Sequence, residues 1–319
     1  MSAAVKRPRV LLSGPVPPGL QARLDGMFDS VVLSAQPDPA AFLKSEAPSF
    51  EALLTTGKTG ADAALINALP SIRAISHFGV GYDNVDVGAA SGRGIPVSNT
   101  PDVLNDCVAD LAIGLLLDTA RGISASDRFV RRGEWPKGMF PLATRVSGKK
   151  LGIAGLGRIG RTIAKRAQAF DMDIRYFSRT PVASVEYKHE PSLVELARWC
   201  DFLMVVVAGG ASTRNLVSRE VLDALGPQGF LVNVSRGTVV DQQALVEALQ
   251  ARRIAGAGLD VFADEPNVPA ELMTMDNVVL LPHVASATHE TRKAMGDLVF
   301  DNLRSYFETG RLLTPVPAP

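Results

Sequence analysis

Neither sign of charge prevails in this sequence. Its 319 residues carry 33 Lys plus Arg against 33 Asp plus Glu, so no net field recommends nucleic acid or an acidic membrane surface as a partner. Cysteine is scarce: Cys107 and Cys200 stand alone, which argues against a disulfide framework or a zinc site and suits a reducing compartment. The four histidines include none at ligand spacing with another ligand type, which argues against a metal. Apolar runs of bilayer length are missing, and the N-terminal stretch Met1 to Pro8 lacks the apolar core of a signal peptide. The expectation is a cytoplasmic protein with neither membrane nor nucleic acid as partner. Its length is generous for one core and comfortable for two domains.

What is present is organised around Lys150 to Gly160. Leu151 to Ala154 is an apolar run suited to a strand covered on both faces, and Ile163, Ala164, Ala167 and Phe170 recur at helical spacing. Between them lies Gly155-Leu156-Gly157-Arg158-Ile159-Gly160. In a dinucleotide site the first glycine permits the tight turn, the second lets N–H groups approach the pyrophosphate, and the third allows close helix–strand packing. The bland reading, a glycine turn that binds nothing, is disfavoured by its placement between strand and helix.

The following strand, Asp173 to Phe177, ends in Ser178-Arg179-Thr180. An NAD-preferring site usually carries a carboxylate there for the ribose 2′-OH. This chain offers two hydroxyls and a guanidinium, a fixed positive fork matched to a 2′-phosphate. The expected cofactor is NADPH. An Arg179 that merely stacks on adenine would also admit NADH.

Alternating strands and helices occur twice, the pattern of parallel sheets with helices on both faces. Strands are expected at Arg9 to Leu12, Ser30 to Leu33, Glu51 to Leu54, Ile72 to Ser76 and Ile95 to Ser98, and then at Leu151 to Ala154, Asp173 to Phe177, Phe202 to Val207, Gly229 to Val234, Ala257 to Asp260 and Val278 to Leu281. A final helix from about Ser286 to Glu308 carries the chain back to the first half. The fold class is thus α/β, two Rossmann-like doubly wound domains with a cleft between them. Residues 1–100 with 287–319 form a flavodoxin-like substrate domain, and residues 101–286 form the dinucleotide-binding domain. The segment Asp106 to Arg121 is almost wholly apolar, so it is expected to be buried, between domains or against a second subunit, and to continue as an amphipathic helix through Phe129-Val130. Residues of about 106–145 are read as a dimerisation arm; burial within one domain is the competing reading.

After Ile72 to Ser76 comes His77-Phe78-Gly79-Val80-Gly81-Tyr82-Asp83, a turn whose N–H groups could receive a carboxylate, or simply a glycine turn. Three polar clusters end the later strands: Asn233-Val234-Ser235-Arg236-Gly237, Gly258 through Pro266, and Leu281 through Ser286. Singly these are a surface arginine, a helix-end carboxylate and a strand-end histidine. Together they suit reduction of an α-keto acid: Arg236 binding the carboxylate or carbonyl, protonated His283 delivering a proton, and Glu265 stabilising the imidazolium. Asp260 suits the nicotinamide side.

Over nearly its whole length the chain resembles the D-2-hydroxyacid dehydrogenase family, in particular its glyoxylate/hydroxypyruvate reductase branch. The motifs are Gly79-Val80-Gly81-Tyr82-Asp83, Asn99-Thr100-Pro101-Asp102-Val103-Leu104, the glycine turn and Pro282-His283. The resemblance implies a homodimer that reduces glyoxylate and hydroxypyruvate with Arg236, Glu265 and His283. It implies Val80 and Gly81 as backbone carboxylate binders and Asp260 on the nicotinamide carboxamide, with Val234, Ser235 and Ser286 completing the cofactor site. Trp135 resembles arm residues that shape a neighbouring subunit's substrate pocket; the alternative is an anchor packing the arm. Ala208-Gly209-Gly210 departs from the family, where a proline often follows the strand. Alternatives are an aryl-pyruvate (hydroxyphenylpyruvate) reductase and a dinucleotide-sensing protein like the corepressors built on this fold.

Overall fold

The computed structural model describes residues 7–318; Met1 to Lys6 of the stretch read above for a signal peptide lie outside them. The chain divides into two compact units. One runs to Leu104 and resumes at Ala287, and the other is Asn105–Ser286.

In the first unit β1 (Arg9–Leu12), α1 (Pro18–Met27), β2 (Asp29–Val32), α2 (Pro39–Glu46), β3 (Ala52–Thr56), α3 (Ala63–Ala68), β4 (Ala74–Phe78), α4 (Val87–Gly92) and β5 (Val97–Ser98) alternate. The strands are parallel in the order β2-β1-β3-β4-β5, the flavodoxin-like winding. β3 and β4 are buried almost throughout, because helices cover both faces, and their sequences are accordingly apolar runs without alternation. Helices α2 and α4 share a start signal. Each opens on an aspartate: Asp38 Oδ1 accepts from the Ala40 and Ala41 N–H groups, and Asp86 Oδ1 from that of Ala89. Such a cap is a readable signal. The strand expected over Ile72 to Ser76 lies two residues later, at Ala74–Phe78. His77 therefore belongs to the strand and not to the turn, in register with Thr55 of β3.

The second unit comprises α5 (Asn105–Arg121), α6 (Ile123–Arg131), β6 (Lys150–Ala154), α7 (Arg158–Gln168), β7 (Asp173–Phe177), β8 (Lys188–His189), α8 (Leu193–Trp199), β9 (Phe202–Val205), α9 (Arg219–Leu225), β10 (Phe230–Asn233), α10 (Gln242–Gln250), β11 (Gly256–Leu259), α11 (Ala270–Met273) and β12 (Val278–Leu280). The sheet order is β12-β11-β10-β9-β6-β7-β8. Strand order reverses between β6 and β9, the switch point beyond which ligands of such sheets gather. Six strands were expected; the seventh, β8, is a two-residue edge strand on β7, too short to leave a pattern.

Helix α5 does not stand apart from the sheet of the second unit. It packs within its own unit, on α7 and on β10, β11 and β12, so closely that a Cβ on Gly258 of β11 would lie 2.5 Å from Thr119 Oγ1. Nor is it apolar all round. Asp106, Asp110 and Gly114 form an exposed stripe, and Arg166 of α7 bridges Asp106 and Asp110 at 2.9 and 2.6 Å. The expected continuation is interrupted at Gly122, whose φ of +63° ends the helix before α6 begins. The exposed apolar side chains Ile123, Val130, Trp135, Met139 and Leu142 all follow that break. The chain returns to the first unit as α12 (His289–Thr309), which starts later than Ser286 because Thr288 is its cap, accepting from the Thr291 N–H at 3.2 Å. Among the described residues no helix is long and apolar enough to cross a membrane.

Candidate active site

The glycine turn follows β6 at the switch point. Gly155 has φ +101°, open to glycine at little cost. A Cβ on Gly160 would lie 2.1 Å from the Gly155 carbonyl oxygen, so helix α7 can approach the turn only with glycine there. Gly157 differs: a Cβ there would meet nothing within 4 Å. No protein contact asks for glycine at Gly157, which leaves close approach of a ligand to the start of α7 as its physical use. The residues present thus fit a dinucleotide. At the end of β7 the Ser178 hydroxyl donates to the Thr180 carbonyl at 2.6 Å and Arg179 and Thr180 are exposed. His189 of β8, which sequence reasoning did not use, has Nε2 3.0 Å from the Ser178 carbonyl and ties this corner to the sheet edge.

The ends of β10, β11 and β12 are adjacent, and buried polar groups shape each loop. Asn233 is buried; its Oδ1 accepts from the Ser235 N–H and hydroxyl, and its Nδ2 donates to the Arg236 carbonyl at 3.0 Å. This closes the turn that presents half-buried Arg236, beside Val234 and Ser235, both buried. A Cβ on Gly237 would fall 1.8 Å from the Phe262 carbonyl carbon, so the loops after β10 and β11 touch backbone to backbone. That second loop holds Glu265. Its Oε1 accepts from the Phe262 N–H at 3.0 Å, and its Oε2 lies 2.7 Å from His283 Nδ1.

His283 itself has φ +55°, a conformation rare for a side-chain-bearing residue that the surroundings must hold. Asp260 holds it. The Asp260 carbonyl accepts from the His283 N–H at 2.9 Å, and its two carboxylate oxygens accept from the Val284 and Ala285 N–H groups at 2.7 and 3.0 Å. Sequence reasoning gave Asp260 only a cofactor role and missed this anchoring. Burial pushes the Asp260 carboxyl above its ordinary value, against the lowering effect of those two N–H groups. Burial also works to raise Glu265, but the hydrogen bonds from His283 and the Phe262 N–H, with the charges of His283 and Arg236, bring it below the usual carboxylate value. An ionised Glu265 only accepts, so His283 Nδ1 carries a proton and Nε2 is left for exchange. With 45% of its side chain exposed, His283 is open to a reactant.

In the first unit, the turn after β4 is fixed by its carbonyls. The Thr100 N–H donates to Gly79 O at 2.9 Å, the Asn99 side-chain amide to Val80 O at 2.8 Å, and His77 Nε2 lies 3.0 Å from Gly81 O. Asn99 is held in turn by Thr314, whose hydroxyl donates to its carbonyl at 2.7 Å, and Thr314 by buried Asn302 of α12. Three successive carbonyls are engaged, while among the described residues no hydrogen bond takes up the Val80 or Gly81 N–H. Two neighbouring N–H groups so left have the chemistry to receive an anionic oxygen pair. Trp135, in a short 3₁₀ turn, is 68% exposed.

The model of the D-isomer specific 2-hydroxyacid dehydrogenase NAD binding domain matches residues 113–285. Glyoxylate/hydroxypyruvate reductase A of Arabidopsis thaliana is 48% identical over 307 residues, 96% of this chain and 98% of its own length. Hydroxyphenylpyruvate reductase of Plectranthus scutellarioides is 49% identical over 307 residues, with the same coverage. The solved structure of NADPH-dependent glyoxylate/hydroxypyruvate reductase from Sinorhizobium meliloti, in complex with NADP and malonate, is similar with a TM-score of 0.93 at 48% identity, covering 98% of each chain. A glycine turn at the switch point of a seven-stranded sheet, His283 and Glu265 on neighbouring strand ends, and relatives matched almost end to end lead to one conclusion: this chain is a member of the D-isomer specific 2-hydroxyacid dehydrogenase family.

Proposed function

We propose that this dehydrogenase reduces small 2-keto acids, glyoxylate and hydroxypyruvate, to glycolate and D-glycerate with NADPH. The observation that carries the reading is the His283–Glu265 pair, 2.7 Å apart, on a sheet whose switch point fits a dinucleotide. The Val80 and Gly81 N–H groups take the substrate carboxylate, and Arg236 binds the carboxylate or carbonyl through its fork of donors. When bound, NADPH supplies a hydride to the carbonyl carbon. The oxygen that gathers charge takes the proton of His283 Nε2, and Glu265 stabilises the imidazolium until that transfer. A positioned acid of this kind contributes roughly a hundredfold to ten-thousandfold in rate. Gly155 through Gly160 hold the pyrophosphate, Ser178, Arg179 and Thr180 the 2′-phosphate, and Val234, Ser235, Asp260 and Ser286 the nicotinamide half. In these terms Asn105–Ser286 is the dinucleotide-binding domain and the rest the substrate domain.

The substrate class is supported by the Arabidopsis and Sinorhizobium relatives, and NADPH by the latter and by Arg179. A second reading, reduction of aryl pyruvates such as hydroxyphenylpyruvate, is favoured by the 49% identity to the Plectranthus enzyme. We read the exposed apolar side chains after Gly122 as the face of a homodimer, with Trp135 entering the partner's substrate pocket. The free thiols Cys107 and Cys200 accord with a cytoplasmic setting. Loss of NADPH absorbance with glyoxylate, hydroxypyruvate and phenylpyruvate, repeated with NADH, tests the proposal. Fast turnover of the two small acids with NADPH is expected. Preference for phenylpyruvate would establish the aryl reading, and nucleotide binding without turnover of any acid would make the protein a sensor.

A further inference from the structure

We propose that His77 is a positioning residue for the substrate carboxylate, acting through the Val80–Gly81 backbone; this rests on the reading of those two N–H groups as the carboxylate receptor. His77 is buried completely, at the carboxyl end of β4. Its ring spans two groups of its own unit. Nδ1 lies 2.7 Å from Thr55 Oγ1, its register partner on β3, and Nε2 lies 3.0 Å from the Gly81 carbonyl oxygen. A carbonyl only accepts, so Nε2 carries the proton and donates to Gly81, and in the neutral ring Nδ1 accepts from the Thr55 hydroxyl. A buried ring with both nitrogens engaged has little freedom, and it holds the Gly81 carbonyl in place.

The neighbouring glycine supports this arrangement. A Cβ on Gly79 would lie 2.7 Å from His77 Nε2 and 3.2 Å from Cδ2, so any side chain there would force the ring off the Gly81 carbonyl. The spacing His77-x-Gly79-x-Gly81 thus has one physical purpose: a strand-borne imidazole reaches past a bare backbone to fix the peptide two residues beyond it. Asn99 and Thr100 fix the carbonyls of the two peptides that carry the Gly81 and Val80 N–H groups, and His77 fixes the peptide that follows, holding the far side of the Gly81 Cα and with it the end of the turn that presents those N–H groups. Loss of the bond leaves binding of the acid weakened and the chemical step largely intact, since His77 contacts none of the reacting atoms.

The test compares His77→Phe, which keeps a flat ring without a donor, with His77→Gln, whose amide nitrogen falls near the position of Nε2. Thr55→Val removes the hydroxyl at nearly constant shape. For His77→Phe the KM for glyoxylate and the Kd for malonate, a non-reducible dicarboxylate measured by calorimetry, are expected to rise about tenfold, with kcat and the KM for NADPH changed by less than about threefold. His77→Gln should recover most of the loss, and Thr55→Val should show a smaller rise of about threefold. Unchanged acid affinity in folded His77→Phe overturns the proposal. So does an equal loss of NADPH and acid affinity that His77→Gln fails to rescue, which would mark general structural damage. If His77→Phe does not fold, Thr55→Val decides by the same affinities. A wild-type protein that binds malonate yet reduces no keto acid overturns the proposed function, while the malonate comparison still decides the role of His77.

Discussion

His283 Nδ1 stands 2.7 Å from Glu265 Oε2, and the same glutamate receives the Phe262 N–H at its other oxygen. Glu265 is thereby fixed as an acceptor, and the imidazole is oriented with Nε2 outward. Glu265→Gln keeps the shape and removes the charge. It should lower kcat by about ten- to a hundredfold, because the imidazole loses the carboxylate that fixes its tautomer and orientation. Steady-state rates check this; an unchanged kcat would detach Glu265 from the proton donor. His283→Ala should cost at least a hundredfold in turnover with NADPH binding retained.

The same carboxylate links stability to pH. Its folded value is lowered, burial being outweighed by the His283 and Phe262 hydrogen bonds, so its stabilising contribution is complete above the unfolded value of about 4.3 and is lost as pH falls through the folded one. The difference in unfolding free energy between the wild type and Glu265→Gln, measured in urea, should be largest near neutrality and shrink below about pH 4. A gap constant over that range would contradict the lowered value.

Two glycines of one turn should respond differently to the same methyl group. Gly160→Ala places a Cβ 2.1 Å from the Gly155 carbonyl oxygen, and an expected loss of about 1–3 kcal/mol in stability follows from the forced backbone shift. Gly157→Ala meets open space, so its melting temperature should hardly move while NADPH affinity, followed by fluorescence titration, falls at least about tenfold. Equal effects on folding and binding at both positions would undo the distinction.

Arg179 is exposed at the end of β7 with no carboxylate beside it at Ser178 or Thr180. Arg179→Ala should raise the KM for NADPH by about ten- to a hundredfold and that for NADH by less than about threefold, the difference being the charge-assisted bonds to one phosphate. Parallel losses with both cofactors would point to stacking on adenine.

Leu142 is fully exposed and Met139 nearly so, in a stretch that also exposes Trp135. Exposed apolar side chains of this kind suit association, and they are the face proposed above for a homodimer. The double substitution Met139→Lys, Leu142→Asp should convert a dimer to a monomer in sedimentation velocity and should lower activity if Trp135 serves the partner's pocket. A species unchanged in mass would remove this face from the interface.

The sequence by itself determined the two parallel sheets and the turn at Gly155 through Gly160, because buried strands write their burial as apolar runs and because only glycine meets the backbone demands at Gly155 and Gly160. It also marked Arg236, Glu265 and His283, each at the end of such a run. Tertiary structure alone decided the rest. The position of α5 within its own unit depended on the close approach of Thr119 and Leu115 to Gly258, which the apolar content of the helix does not announce. Asp260 became the anchor of the His283 backbone through hydrogen bonds across 24 and 25 residues of sequence. His77 was read as part of a turn until the register with Thr55 placed it inside β4. Such roles are invisible in the chain because they are made by hydrogen-bond partners that only the packing of parallel strands brings side by side.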